Sequence, residues 1–140
     1  MPQLAVAKAY DAYGHPNDAW TQGIAGFTAA TSGTAAGTVV NPGTADPTGT
    51  TSLTIPQCAA DGYGQFLITT AGTQTTGALR TIYFQQPYPV QRPALVTVST
   101  TAGVAAGGVI TVTMALTNLA ISVGTALTTA TSYYISYVIL

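Results

Sequence analysis

The sequence predicts an all-β protein, an antiparallel β-sandwich or jelly roll with an extended N-terminal arm. Three observations lead there. Short runs rich in Val, Ile, Tyr and Thr alternate apolar with polar residues, the period of a strand with one buried face. Clusters of Gly, Pro, Asn and Thr separate those runs at the spacing of sandwich strands. No stretch carries a helical pattern, a heptad seam or a collagen repeat.

Residues 1–20 are read as the arm, the most polar part of the chain, with Lys8, Asp11, His15 and Asp18. Gly14, Pro16 and Asn17 argue against a long helix there. Trp20, the only tryptophan, stands where the arm meets the body and suits an interface anchor. Residues 21–140 are read as a single β-sandwich domain. Its first part, 21–62, is Gly- and Thr-rich, and "NPGT" and "ADPTGT" read as turns. Short strands are expected near 37–40 and 51–55. The strongest pattern spans 63–140, where "YGQFLITT", "ALRTIYF", "PALVTVS", "GVITVTMAL", "NLAISV" and "SYYISYVIL" read as strands. In "GVITVTMALT", Ile110, Val112, Met114 and Leu116 fall on one face, with Thr111, Thr113 and Thr117 opposite. In "SYYISYVIL", Tyr133, Ile135, Tyr137 and Ile139 share the expected core face. Tyr134 points the other way and suits a subunit contact.

Composition narrows the function. Only 5% of residues are charged, against about 25% in a typical soluble domain. The net charge of −1 excludes a basic nucleic-acid footprint and a polybasic membrane patch. From Pro93 onward there is no charge at all, yet Thr, Ser, Asn and Gly interrupt every apolar run. That leaves no stretch of roughly 20 apolar residues for a spanning helix. An outer-membrane barrel would need more strands than 140 residues supply comfortably, with aromatic girdles at both ends. "MPQLAVAKAY" has no basic start followed by an apolar run, so no signal peptide is read there. Thr and Ala make up about a third of the chain. So neutral a surface suits a protein covered by copies of itself or by a partner.

Catalysis fails on inventory. The single His15 lies far in sequence from the single Cys58, which reads as a small half-buried hydrophobe. Asp46 and Asp61 stand beside Pro47 and Gly62, where aspartate caps turns. Asp11, His15 and Asp18 have ligand-like spacing, but the Gly and Pro between them oppose a fixed metal geometry. "AGVAAGGVI" lacks the Lys-Ser/Thr pair of a phosphate loop. The expectation is a non-enzyme with no catalytic residue, cofactor or metal.

Two of the three basic residues, Arg80 and Arg92, flank the Pro/Tyr turn of "ALRTIYFQQPYPVQRPALVTVST". Arg80 shares strand parity with Ile82 and Phe84, which suggests a stem laid over apolar surface with its head at the rim. Arg92 precedes Pro93 and is biased to an extended backbone. Arg80, Arg92, Tyr88 and Tyr134 are expected as subunit contacts.

"FLITTAGTQTTGALRTIYFQQPYPVQRPALVTVST" followed by "ALTTATSYYISYVIL" resembles a β-sandwich domain of structural proteins of tailed bacteriophages. Its elements map to Phe66 to Thr70, Gly77 to Phe84, Pro87 to Pro93, Ala94 to Val98 and Tyr133 to Leu140, about half the chain. The resemblance implies a virion surface part (head decoration, head fibre or tail-fibre tip), usually trimeric and with no catalytic residue. The leading expectation is a homotrimeric capsid decoration protein on the capsid exterior. Its partner would be the major capsid protein, met through Lys8, Asp11, His15, Asp18 and Trp20. No nucleic-acid or membrane partner is expected. The alternative is the receptor-binding tip of a tail or head fibre.

Overall fold

A computed structural model describes residues 27–55, 61–105 and 108–140. The expectations for the arm, for Lys8, Asp11, His15, Asp18 and Trp20, and for Cys58 lie outside these residues. The described chain is all-β. Its strands are β1 (Thr28–Ala30), β2 (Thr38–Val40), β3 (Ser52–Thr54), β4 (Tyr63–Thr69), β5 (Gly77–Tyr83), β6 (Ala94–Thr100), β7 (Ile110–Met114), β8 (Asn118–Val123) and β9 (Ser132–Ile139). They form a five-stranded sheet of order β1-β2-β5-β8-β7 and a four-stranded sheet of order β3-β4-β9-β6.

Alternation decides which side chains fill the space between the sheets. In β9, Tyr133, Ile135 and Tyr137 are buried, while Tyr134 and Val138 face outward. Phe66 and Val98 lie beside Ile135 in register on β4 and β6, and all three are buried. The five-stranded sheet answers with Val39, Ile82, Leu119 and Ile121. One apolar cluster therefore joins both sheets. The C-terminal strand β9 sits at the centre of its sheet, bonded to β4 on one side and β6 on the other.

Turn chemistry explains the strand ends. The Thr70 hydroxyl, wholly buried after β4, donates to the carbonyls of Thr128 and Thr131 and accepts from the Thr131 N–H. This ties the β8–β9 loop to the end of β4, and the Tyr133 hydroxyl accepts from the Thr128 N–H at 3.0 Å. Gly77 opens β5 with φ of +122°, and a Cβ there would come 2.5 Å from Thr44 Cγ2. Only glycine fits that start.

Three features depart from the sequence reading. Thr28–Ala30 is a strand where only small residues and turns were expected, and it pairs with β2 in parallel. All other pairings are antiparallel. Leu116 leaves the apolar face of β7, which ends at Met114; the side chain is 46% exposed in the β7–β8 turn. That turn closes through the Ala115 N–H donating to the Asn118 carbonyl at 2.8 Å, so the strand period no longer governs position 116. Third, β5 carries a bulge between Ala78 and Arg80, with consequences for the site.

Candidate functional site

The bulge in β5 lies beside Arg80. Ala78 pairs with Ser122 and Arg80 with Ile121, which leaves Leu79 as the extra residue. Leu79 and Arg80 are both 1% exposed. The shared parity of Arg80, Ile82 and Phe84 holds, since all three are buried. The expected rim position of the guanidinium does not: it lies between the sheets, so Arg80 is corrected from a surface subunit contact to an interior cation. Its Nη1 donates to the Leu79 carbonyl at 2.6 Å, while Nε has no hydrogen-bond partner. Burial pushes its pKa down to about 10, against the opposing pull of the Asp46 charge. The group is still charged at neutral pH.

Asp46 is the matching interior anion, 1% exposed. Its Oδ2 accepts from the Thr51 N–H at 3.0 Å and from Asn41 Nδ2 at 3.2 Å, and its Oδ1 from the Thr48 hydroxyl at 3.1 Å. Burial alone would raise its pKa, but these hydrogen bonds hold it below the usual carboxylate range. The turn role expected of Asp46 is thus correct in kind. It organises the whole 41–51 loop rather than one turn.

Asp61 works across the chain. Its carboxylate accepts from the N–H groups of Gln85 and Gln86 at 2.8 and 2.9 Å, and its carbonyl accepts from the Tyr88 hydroxyl at 2.9 Å. Tyr88 also stacks edge-on against Phe84, with ring centroids 5.0 Å apart. Burial first, then the Asp61 charge, raises the Tyr88 pKa, with Arg92 opposing. Two internal contacts therefore hold Tyr88 in the turn. Arg92 is exposed, and its Nη1 reaches the Leu140 carbonyl at 3.4 Å. Asp61→Ala should cost about 1–3 kcal/mol by removing both backbone bonds at once. Urea unfolding of the variant against the parent measures the loss.

The outer face of the four-stranded sheet is the most distinctive surface. Register places Tyr63, Val138 and Leu95 side by side across β4, β9 and β6, exposed by 52, 37 and 59%. The next row is polar: Gln65, Ser136 and Thr97, with Gln65 Nε2 donating to the Ser136 hydroxyl at 3.0 Å. A third row holds Leu67, Tyr134 and Ser99. Ser52 and Thr54 of β3, with Thr69 and Ser132, complete the face. None of these residues is charged. Tyr134 thus stands where a subunit contact was expected to stand, on an uncharged outer face.

Among the described residues no group of three His, Cys, Asp or Glu side chains could hold a metal, and no helix is long and apolar enough to cross a membrane. Comparison with protein-family models, curated proteins and solved structures finds no match for this chain. Sequence reasoning read the parity of Arg80 but missed the burial of its head, because the segments around it, β1, the 41–51 loop and β3, come together only through tertiary contacts. The uncharged face was legible in part, since the outward residues of "SYYISYVIL" and "YGQFLITT" contain no charge.

Proposed function

We propose that the protein is a bacteriophage capsid decoration (cement) protein, a non-enzymatic part of the virion exterior that binds and stabilises the assembled head. The observation that carries this reading is the uncharged outer face of the four-stranded sheet with its exposed Tyr63–Val138–Leu95 row. A free soluble domain spreads charge over its surface and keeps exposed apolar patches small. This face carries no charge, and it suits cover by copies of the same chain. Packing neutral faces together desolvates no ion and brings no like charges into contact. The resemblance of residues 66–100 and 126–140 to phage virion sandwiches supports the same class.

In this reading three sandwiches pack as a homotrimer, and the N-terminal arm lies across the major capsid protein. Stabilisation follows by mass action: a protein that binds only the assembled shell shifts the equilibrium toward it. Deleting residues 1–20 should abolish co-sedimentation with undecorated capsids of the encoding phage, while the truncated protein keeps its trimer mass. Capsid binding by the truncated protein would overturn the assignment of the arm. Exposed Tyr63 and Tyr134 favour a second reading, the receptor-binding tip of a tail or head fibre, because tyrosine rings stack on sugars. Binding to host cells or to a glycan array, without capsid binding, would select it.

A further inference from the structure

Arg80 has no role in an outer-face assembly, since its side chain is inside. A buried guanidinium is a poor stabilising device: losing its hydration costs more than one carbonyl contact returns. Its natural partner is already engaged. Both carboxylate oxygens of Asp46 accept from Asn41, Thr48 and Thr51, and Asp46 acts on Arg80 through its charge alone. Of the five N–H donors of the guanidinium, Nη1 serves the Leu79 carbonyl, and the buried Nε–H serves nothing.

Beside this group lies a cavity of about 200 Å³, lined by Ala29, Ala30, Asn41, Gly49, Thr51 and Leu53 together with Arg80 and Thr31. Ala29 and Ala30 belong to β1 and Leu53 to β3, the edge strands of the two sheets. At the opposite flank the other two edges, β6 and β7, come into contact and close the sandwich. The cavity therefore lies at the flank where β1 and β3 form the sheet edges, with Arg80 in its lining.

The geometry points to a carboxylate-binding site in this cavity, with the free donors of Arg80 as the recognising group. A planar carboxylate matches the guanidinium fork and can take two parallel hydrogen bonds. A cavity of this volume admits a molecule of a few heavy atoms. Leu53 and the two alanines offer an apolar wall to a short aliphatic stem. Phosphate fits poorly: the Asp46 charge acts on Arg80 and repels a dianion, and among the described residues the lining holds no second cation. The carboxylate can be a free short-chain acid or the side chain of an acidic residue on a partner. The proposal stands apart from the assembly reading, and neither depends on the other.

The chain has only two arginines, so two Nε–H signals suffice for a ¹⁵N NMR test on the full protein, with Arg92→Lys identifying the Arg80 signal. Sodium acetate and propionate, against phosphate and chloride at matched ionic strength, form one arm. A capped Gly-Glu-Gly peptide forms the other. The expected result is a saturable shift of the Arg80 signal with millimolar half-saturation, given by the free acids, the peptide or both. Whichever responds identifies the source. Ala30→Leu and, independently, Leu53→Phe should fill the cavity, retain the Arg80 signal and abolish the shift. Silence toward all carboxylates would overturn the proposal. So would an equal response to phosphate and chloride, or a shift that survives in both filled variants.

Discussion

Val138→Asp is expected to leave the sandwich folded and to break the self-association proposed above. Val138 sits between Tyr63 and Leu95 in the exposed apolar row, on the central strand at one end of the uncharged face. In the free chain an aspartate there points to water. The destabilisation should therefore stay near the size of an ordinary surface change, about 0.5–1 kcal/mol, part of it from the low strand propensity of Asp. In a subunit interface the same carboxylate would be buried without a partner, once in each copy. Loss of self-affinity should be at least about 100-fold, or roughly 3 kcal/mol per contact. Val138→Thr, similar in shape and neutral, should lose much less. Sedimentation velocity over a concentration series reads the subunit mass, and urea unfolding reads the fold. An assembled Val138→Asp variant would place the subunit contact on another surface.

Asp46→Ala should be the most damaging single change in the interior. It strips three hydrogen-bond donors of their acceptor and leaves Arg80 buried without its nearest negative charge. Removing one partner of such a buried set costs about 3–5 kcal/mol, a large fraction of the stability of one domain. Asp46→Asn keeps the shape and should cost less. Acid separates the two further. The folded pKa of Asp46 lies below its ordinary value of 3.8, so its contribution is present above that value and fades as the pH falls through the folded pKa. The stability gap between parent and Asp46→Asn should be level above about pH 5 and shrink below about pH 4. Unfolding curves from pH 7 to pH 2.5 test this. A constant gap would show that the Asp46 charge contributes nothing.

The strand pattern was readable where a strand has one wet and one dry face. "SYYISYVIL" states its own orientation: the dry residues Tyr133, Ile135 and Tyr137 are buried in the core, and Tyr134 faces out. The same logic placed the strands at 63–69, 110–114 and 118–123. It failed at Thr28–Ala30, where three small residues carry no period and a backbone pairing to β2 makes the strand. It failed at Leu116 as well, because a tight turn ends β7 before the alternation in the residues stops.

Sequence alone determined the class of this protein: all-β and almost without charge. Alternation and composition act locally, so both can be read along the chain. Tertiary structure decided where the few charges went. Arg80 keeps the inward parity of Ile82 and Phe84, the bulge adds Leu79 beside it, and the segments packed around it bury its head. Asp61 came to hold the Gln85–Gln86 turn, and Tyr63 and Leu95 became neighbours of Val138, only through pairing of distant segments. Such contacts depend on register between strands far apart in sequence, and no local pattern records that register.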